Sequence, residues 1–438
     1  MQIILLSGTS GNQLWPLTND LRSSQFIKIL KTENDTYESI FQRTCRQIRK
    51  ADADAQITVA STKTQASVIQ NQMGTKVNIC LEPERKSMFS VIALAAAYLR
   101  DLQQVPDTEV VAVCPVDVYA GDEYFAAIRQ MADIVENGRA KLALLGVVPA
   151  DANEKYGYII PETRERISRV RSFEEKPKAA KAEAYLKNGA LWNSGVFAFR
   201  LGYVLDKARE WIGFTDYEDL YDRYAGLSSV SFDRAVAEKE PDMRVIRYEG
   251  LWKDISTWQA LSAEMTETSI GHAICDSSCE AVHVINELNV PILCMGLKNL
   301  VISASAEGIL VSDSGKSTEI APFVEQMEQR VMFAEKSWGE FRVLDVGDSS
   351  MTVKATLNPG YRMNYHSHDY RDEVWTVISG TGRTVVDGME ELVGPGDVIT
   401  MEAGCKHMVI ADTKLELIEV QLGKEIDVHD KHKYEPEG

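Results

Sequence analysis

The stretch that decides the fold opens the chain and reads MQIILLSGTSGNQLWPLT, residues 1–18. A run of apolar β-formers from Ile3 to Leu6 leads into a loop that contains Gly8 and Gly11. In doubly wound α/β domains, a short buried strand followed by a glycine-rich loop presents backbone N–H groups to phosphates. No Gly-Lys-Ser/Thr follows the loop, so it is not a P-loop. We therefore predict a Rossmann-like doubly wound domain.

The first 265 residues alternate between β-rich and helix-like segments, and we assign residues 1–265 to this domain. Apolar residues at helical spacing predict a helix over Met88–Gln104. Alternation of this kind predicts a parallel sheet with helices on both faces. The predicted strands are Gln2–Ser7, Ile57–Ala60, Glu109–Cys114 and Leu142–Val147.

Two further regions follow this domain. Residues 266–335 contain short β-like runs separated by turn residues and end in a polar segment, which indicates a small β connector and a linker. From residue 336 to 438, short apolar runs are broken by turns such as Asn358-Pro-Gly360 and Gly394-Pro-Gly-Asp397. That spacing predicts an all-β domain, a small barrel or jelly roll.

Composition limits the classes of function. A chain of 438 residues is too long for one core. Its net charge of −18 argues against nucleic-acid and anionic-membrane binding. We expect no signal peptide, because the start lacks a basic segment and a long apolar run. We expect no transmembrane helix, because no apolar run reaches about 18 residues. Seven scattered cysteines indicate reduced thiols, and we expect a cytoplasmic protein.

The opening loop resembles that of the mannose-1-phosphate guanylyltransferases, a family of sugar-1-phosphate nucleotidyltransferases. Their pattern is roughly G-G-x-G-T-R-L-W-P-L-S followed by P-K-Q-F. This chain aligns with that pattern at the same spacing through Leu17, and again at Ser23-Ser-Gln-Phe26. Gln13 stands where the family has arginine, and Ser24 where it has lysine. The resemblance implies that the nucleotide is bound by Leu6, Gly8, Thr9, Ser10, Gly11, Asn12 and Gln13.

Six further segments resemble the family in the same order along the chain. They include Leu191-Trp-Asn-Ser-Gly195, which matches the family's L-W-N-S-G without change. The others are Glu82-Pro-Glu-Arg85, Cys114-Pro-Val-Asp117, Tyr156-Gly-Tyr-Ile159, Phe173-Glu-Glu-Lys-Pro177 and Trp252-Lys-Asp-Ile-Ser-Thr-Trp258.

The resemblance assigns roles to single residues in these segments. Asp117 and Asp254 would hold Mg²⁺, and Lys176 would bind the sugar phosphate. Such a reaction needs little covalent chemistry from the protein, because a sugar phosphate attacks the α-phosphorus of a nucleoside triphosphate and pyrophosphate leaves. Carboxylates suit Mg²⁺, and lysine acts as a point charge on phosphate. The remaining assignments are Glu82 and Arg85 for the nucleotide and Gly157, Glu175 and Asn193 for the sugar.

Each match also has a structural interpretation. An aspartate at a strand end is usually a cap or turn residue, and Glu175-Lys176 would serve as a solvated surface pair. Glutamine cannot replace arginine as a charge partner. Lys28 or Lys86 would then have to supply the charge. Three interpretations stay open: an active guanylyltransferase, a nucleotidyltransferase with another base or sugar, and a catalytically impaired sugar-nucleotide-binding regulatory homologue.

The C-terminal region carries a second set of chemically active residues. His366 and His368 are two apart and so share one face of a strand, and Glu373 and His407 follow at the spacing of the cupin motif. Three imidazoles and one carboxylate suit a divalent transition metal, Zn²⁺, Fe²⁺, Mn²⁺ or Ni²⁺. A single histidine would more often be a surface or core residue, but four ligand types at this spacing favour a metal site.

A cupin that follows a guanylyltransferase resembles the bifunctional mannose-6-phosphate isomerase/mannose-1-phosphate guanylyltransferases. Lys336-Ser-Trp-Gly339 corresponds to their R-P-W-G, and His366 stands at their glutamine ligand. An isomerase needs cations for the sugar phosphate and an acid or base near the metal. Candidate cations are Arg362, Arg371 and Lys406. The alternative is a sugar-binding or oligomerisation module stiffened by metal.

The sequence therefore predicts a cytoplasmic enzyme of sugar-nucleotide metabolism. We expect it to make GDP-mannose and pyrophosphate from GTP and mannose 1-phosphate, for capsule or other polysaccharide synthesis. The expected partners are these substrates and further copies of the same chain, with neither nucleic acid nor membrane among them.

Overall fold

The computed structural model describes residues 1–8, 12–327, 330–424, 426 and 430–434. The chain divides into two compact units. The first comprises Met1–Ser10, Ser24–Ala66 and Thr75–Met265. The second comprises Gly11–Ser23, Ser67–Gly74 and Thr266–Gly438, so it contains most of the opening loop together with the region predicted as connector and barrel.

The first unit is built on a nine-stranded sheet in the order β5-β4-β1-β6-β11-β8-β12-β10-β9. One two-stranded ribbon pairs β13 with β7, and a second pairs β2 with β3. The strands are β1 (Gln2–Ser7), β2 (Leu30–Lys31), β3 (Tyr37–Glu38), β4 (Gln56–Thr62), β5 (Asn78–Glu82), β6 (Val110–Pro115), β7 (Val118–Ala120), β8 (Leu142–Val147), β9 (Tyr158–Pro161), β10 (Ile167–Glu174), β11 (Leu191–Arg200), β12 (Met243–Tyr248) and β13 (Trp252–Asp254).

This sheet is mixed, whereas alternation along the sequence predicted a parallel one. The pairings β1·β4, β1·β6 and β4·β5 are parallel, as expected for the doubly wound half. β11 lies between β6 and β8 and runs antiparallel to both. Most of its residues are buried, so its composition is that of any central strand and carries no information about direction.

Helices cover the sheet of the first unit. Helix α3 buries ten of its fourteen residues, which explains its continuous apolar composition. Among the described residues, no helix combines the length and the apolar character needed to cross a bilayer. The α-helices among the described residues are α1 (Ile40–Ala51), α2 (Ala66–Met73), α3 (Met88–Asp101), α4 (Asp122–Glu136), α5 (Ala179–Lys187), α6 (Leu201–Ile212), α7 (Tyr217–Asp222), α8 (Phe232–Ala235), α9 (Trp258–Ser262) and α10 (Ala321–Val324).

The connector in the second unit contains two short parallel ladders. One sheet has the order β14-β16-β18-β19, with β14, β16 and β18 parallel, and the other pairs β15 with β17 in parallel. Parallel strands in successive turns are typical of a β-helix, here a stub. The strands are β14 (Ser269–Gly271), β15 (Ala273–Cys275), β16 (Glu280–Asn286), β17 (Ile292–Cys294), β18 (Lys298–Ser305) and β19 (Gly308–Asp313).

From Phe333 on, the described residues of the second unit form an all-β sandwich with a jelly-roll character, as predicted. Its six-stranded sheet has the order β20-β21-β22-β29-β24-β27, and its five-stranded sheet β26-β25-β28-β23-β30. The first strand begins at Phe333, three residues before the predicted domain start at 336, because β20 already pairs with β21. The strands are β20 (Phe333–Lys336), β21 (Gly339–Val346), β22 (Ser350–Leu357), β23 (Tyr365–Ser367), β24 (Asp372–Ser379), β25 (Gly382–Val386), β26 (Met389–Val393), β27 (Val398–Met401), β28 (His407–Ala411), β29 (Leu415–Leu422) and β30 (His432–Tyr434).

Candidate functional site

The carboxyl end of β1 carries a buried polar network in the first unit. Ser7 Oγ donates to Oε1 of Gln65 at 3.1 Å and accepts from Nε2 of Gln25 at 3.1 Å. Ser61 Oγ, at the end of the neighbouring β4, donates to the same Gln65 oxygen at 2.6 Å. This network anchors the strand end just before exposed Gly8. The half-buried Leu6 belongs to β1, whereas Thr9, Ser10 and Gly11 lie outside the described residues.

The rest of the opening loop is held by polar contacts within the second unit. Arg22 makes a bidentate pair with Glu287, with N–O distances of 2.9 and 2.8 Å. Nδ2 of Asn19 donates to Oε1 of Glu307 at 2.6 Å. A short 3-10 turn at Asn12–Leu14 precedes these contacts, and Gln13 in it is exposed. The loop region is therefore fixed by side chains that the sequence analysis did not single out.

The two aspartates predicted to hold Mg²⁺ come together on the β7·β13 ribbon. Asp117 directly precedes β7, and Asp254, the last residue of β13, is the register partner of Val118. Burial and the neighbouring Asp254 carboxylate raise the pKa of Asp117. Oδ1 of Asp254 accepts a hydrogen bond from the Ser256 backbone N–H at 2.9 Å. Two adjacent carboxylates repel each other, so the pair fits a divalent cation, which would relieve that repulsion.

The predicted sugar residues also converge. A Cβ built on Gly157 would lie 2.7 Å from Oε2 of Glu175 and 3.4 Å from Cβ of Asn193, so Gly157 lets these side chains approach the backbone. Nζ of Lys176 lies 3.4 Å from Oε1 of Glu175, and Lys176 itself has a positive φ of 46°. Strained backbone of this kind is common at ligand sites.

Sequence reasoning missed Asp233, which belongs to this cluster. It is 6% exposed, and its Oδ1 accepts a hydrogen bond of 2.9 Å from Nδ2 of Asn193. Burial, with the Glu175 carboxylate adding to it, raises the pKa of Asp233 to about 7. In the sequence, Ser231 and Asp233 have the appearance of an ordinary helix start, and Ser231 does cap α8. Nothing in that pattern indicates a binding role.

An aromatic group connects the sugar residues to the aspartates. The ring of Tyr156 lies 4.7 Å from that of Trp192 and 5.5 Å from that of Trp252, centroid to centroid. Burial raises the pKa of Tyr156, and both Asp254 and Asp117 contribute to the shift. The two predicted sets, one for sugar and one for metal, therefore lie in the same neighbourhood of the first unit.

The residues predicted for the base differ in exposure. Glu82 is 3% exposed and accepts a hydrogen bond from the hydroxyl of Tyr224 at 3.0 Å, and burial raises its pKa. Arg85 is exposed. Nζ of Lys86, considered as a substitute cation, donates to the Ala225 carbonyl at 2.5 Å and pairs with Glu84 at 2.7 Å. Lys86 is thus engaged by oxygens of its own domain.

In the barrel, the three predicted histidines face one another. The candidate ligand atoms of His366, His368 and His407 all lie within 4.8 Å of one another, and all three side chains are buried. Each Nδ1 bonds to a backbone carbonyl: His366 to Asn364 at 2.6 Å, His407 to Cys405 at 3.0 Å, and His368 to Asp430. With Nδ1 as the donor, the lone pair of each ring is on Nε2, which is the atom that usually binds a metal; the Nε2 of His368 also accepts from Nη2 of Arg371.

Glu373 completes this set. Its Oε1 lies 3.1 Å from Nε2 of His368, and its Oε2 lies 3.2 Å from Nε2 of His407. Burial would raise the pKa of Glu373, but the neighbouring His368 and His407 lower it well below its usual value. Nε2 of His407 is buried and makes no hydrogen bond of good geometry within the described residues. A buried nitrogen without a hydrogen bond, in a group of three histidines and one glutamate that face one another, is what a binding site for a divalent transition metal would show.

Of the three cations considered for a sugar phosphate, Arg371 is the one that contacts the candidate metal ligands. It is 7% exposed, its Nε donates to Oε1 of Glu373 at 3.1 Å, and its Nη2 donates to Nε2 of His368 at 3.1 Å. Arg362 is exposed, and Nζ of Lys406 lies 4.4 Å from the ring centroid of Tyr434. Arg371, one of the three candidate cations, is thus hydrogen-bonded to Glu373 and His368 in this structure.

Comparison with known families decides the ancestry. The family described as "Nucleotidyl transferase" matches residues 2–269, more than half of the chain. The chain belongs to the nucleotidyl transferase family. A second family, "Mannose-6-phosphate isomerase C-terminal", matches residues 325–436 and so covers the barrel.

Individual relatives match along nearly the whole chain. One is the "Mannose-1-phosphate guanylyltransferase" of Escherichia coli K12, 26% identical, with 98% of this chain and 96% of that protein covered. Another is the "Xanthan biosynthesis protein XanB" of Xanthomonas campestris, which is 28% identical, with 99% of this chain and 97% of that protein covered. A solved structure named "mannose-1-phosphate geranyltransferase" from Thermus thermophilus has a TM-score of 0.59 at 23% identity and covers 74% of this chain and 98% of that one. It supports the fold alone.

Proposed function

We propose that this chain is a mannose-1-phosphate guanylyltransferase, which joins the nucleotidyl group of GTP to mannose 1-phosphate and releases pyrophosphate. The observation that carries the proposal is the register of β7 and β13, which brings Asp117 and Asp254 together beside the sugar cluster. Relatives that carry this name align over 96% or more of both chains. A catalytically impaired regulatory protein is not favoured by these relatives.

The aspartate pair has a defined task in this proposal. Mg²⁺, where bound, supplies positive charge to phosphate oxygens and so favours displacement at the α-phosphorus. Asp117, which is half-buried, and Asp254, which is exposed at the strand end, would hold it.

The sugar cluster orients the attacking phosphate. Lys176, 62% exposed and with its Nζ 3.4 Å from Glu175, supplies a cation beside the groups assigned to the sugar. Glu175 and Asn193 provide carboxylate and amide groups that accept and donate hydrogen bonds to neighbouring hydroxyls. Holding the nucleophile and the α-phosphorus in place supplies much of the rate acceleration in reactions of this kind.

A substrate panel tests the proposal. Full-length protein with Mg²⁺ is incubated with each of GTP, ATP, UTP, CTP and dTTP against mannose, glucose and galactose 1-phosphates, and pyrophosphate is measured. We expect GTP with mannose 1-phosphate to give the highest kcat/KM. A clear preference for another pair would replace the substrate assignment, and no pyrophosphate with any pair would remove the catalytic function.

A second activity, isomerisation of mannose 6-phosphate, is favoured by the barrel. The supporting observation is the buried set of His366, His368, His407 and Glu373, which fits a metal that can polarise sugar oxygens. Arg371 orients two of these groups. Coupled detection of fructose 6-phosphate from mannose 6-phosphate, before and after replenishment with Zn²⁺, Mn²⁺, Fe²⁺ or Ni²⁺, tests it. No product with any metal would leave a metal-bound sugar or oligomerisation module.

A further inference from the structure

We infer that Asp233 is a positioning residue of the sugar subsite, which fixes the amide of Asn193 and so sets the preference among hexose 1-phosphates that differ at one hydroxyl. The inference rests on the proposed sugar role of Asn193 and adds a residue to it. Asp233 lies on α8, far from Asn193 in sequence. No motif in the chain marks it.

The amide of Asn193 is held from both sides. Its Nδ2 donates to Oδ1 of Asp233 at 2.9 Å, and its Oδ1 accepts from the backbone N–H of Gly195 at 3.2 Å. The two bonds define which end is oxygen and which is nitrogen, because exchange of the two would place N–H against N–H and oxygen against oxygen. One N–H and one lone pair of the amide stay available to a ligand.

The surroundings of Asp233 make the burial of its carboxyl group energetically unfavourable. Its side chain is almost fully buried, and Glu175 brings a like charge toward it, while Lys176 brings a compensating one. Glu238, on the following turn, adds a further negative charge. A carboxyl group with two acidic neighbours and little solvent is expensive to keep in a core for stability alone. An arrangement of this kind is typical of a ligand site.

A fixed amide turns a general polar contact into a selective one. A sugar hydroxyl that donates to Oδ1 or accepts from Nδ2 must lie in one direction, so an epimer with that hydroxyl inverted loses the bond. It also leaves the amide unpaired in a partly buried site. Sites built to bond one hydroxyl reject analogues that lack it far more strongly than apolar pockets reject small changes in size.

Three variants of the full-length protein test the inference: Asp233→Ala, Asp233→Asn and, as a control at an exposed aspartate of α7, Asp222→Asn. KM and kcat are measured for mannose 1-phosphate, glucose 1-phosphate and GTP. In Asp233→Ala we expect KM for mannose 1-phosphate to rise about tenfold and the preference between the two sugars to fall by a similar factor, with KM for GTP within about twofold. Asp233→Asn keeps an oxygen acceptor and should recover most of the preference, and Asp222→Asn should match the wild type.

The possible outcomes separate this inference from the proposed function. An equal loss toward both sugars, or a comparable rise in KM for GTP, would make Asp233 a structural residue and overturn the inference. If the wild type releases no pyrophosphate, the same variants are titrated with GDP-mannose and GDP-glucose by calorimetry. Selective binding that Asp233→Ala abolishes would then support the inference and contradict only the catalytic proposal. Wild-type protein that binds both products equally would overturn the inference.

Discussion

Nε2 of His407 lies 3.2 Å from Oε2 of Glu373, although the two residues come from different sheets of the barrel. β28 carries the histidine in the five-stranded sheet, and β24 carries the glutamate in the six-stranded one. The indole N–H of Trp375 donates to the same glutamate oxygen at 3.2 Å, which restricts the carboxylate to one orientation. The barrel thus positions its ligands through the packing of two sheets and not through one local segment.

The first prediction concerns metal content. Full-length protein purified without chelator and exposed to a mixture of Zn²⁺, Mn²⁺, Fe²⁺ and Ni²⁺ should bind about one transition metal per chain, because His366, His368, His407 and Glu373 converge. The double variant His366→Ala with His407→Ala should lose it and melt at a lower temperature, since a metal that binds only the folded state stabilises it. Mass spectrometry of the metal and calorimetry measure both effects.

His272 provides the control for that experiment. It is an exposed histidine in the connector, so His272→Ala should keep both metal and melting temperature. A wild type that takes up no transition metal, with a melting temperature that the double variant does not change, would show that the barrel is purely structural. Isomerase activity would then be absent as well.

The second prediction concerns Asp254. Asp254→Asn removes one of two adjacent carboxylates and should lower kcat for pyrophosphate release by about 10² or more, the usual size for loss of a transition-state charge partner. The exposed position of Asp254 should keep the fold intact, which circular dichroism checks. Asp206→Asn, an exposed helical aspartate, is the matched control. A rate within a few-fold of the wild type would exclude Asp254 from the mechanism.

The third prediction separates the sugar phosphate from the nucleotide. Lys176→Ala should raise KM for mannose 1-phosphate much more than KM for GTP, because its Nζ lies beside Glu175 of the sugar cluster. Lys178→Ala, an exposed lysine two residues along, is the control. Equal losses for both substrates in calorimetry would contradict the assignment of Lys176.

The sequence predicted those elements whose signals are local. β1 and β8 match the predicted bounds, and α3 begins at the predicted Met88, because strand composition and helical spacing are properties of short segments. The antiparallel direction of β11 was beyond such reasoning, since direction depends on partners distant in sequence. For the same reason the role of Asp233 could not be predicted, because its contact with Asn193 is known only from the fold.

The position of Arg371 could be predicted in part from the sequence. Residues two apart on a strand share a face, and Arg371, Glu373 and Trp375 follow this rule into the barrel. Alternation around the predicted ligand Glu373 would therefore have indicated that Arg371 points inward. What the sequence does not contain is the distance between the guanidinium and His368, which depends on how the two sheets pack.

The fourth prediction concerns pH. Because burial raises the pKa of Asp233 from 3.8 to about 7, the folded protein keeps this proton at pH values where the unfolded chain has lost it. Stability should therefore fall as pH rises from about 4 to 7, by at most about 4 kcal/mol at 1.36 kcal/mol per pKa unit. Glu175, Lys176 and Glu238 are the charged groups that act on it.

Calorimetric melting at pH 5 and pH 8 measures this dependence. Asp233→Asn has no proton to release, so the difference in melting temperature between the two pH values should shrink, while Asp222→Asn, at an exposed aspartate of α7, should behave as the wild type. An unchanged pH dependence in Asp233→Asn would show that Asp233 ionises at its ordinary pKa in the folded protein.

The fifth prediction tests the two missing family cations. Gln13 and Ser24 stand where related nucleotidyltransferases have arginine and lysine, and Gln13 is exposed. If the absent charges limit turnover, Gln13→Arg with Ser24→Lys should raise kcat at least about tenfold, equivalent to about 1.4 kcal/mol of transition-state stabilisation. Gln13→Met with Ser24→Ala, which adds no charge, is the control and should give no gain.

A charged double variant no faster than the wild type would show that other residues already neutralise the triphosphate, or that a step other than phosphoryl displacement limits the rate. Single-turnover kinetics distinguishes those two results, because only the second leaves the rate of the chemical step increased while steady-state turnover stays constant.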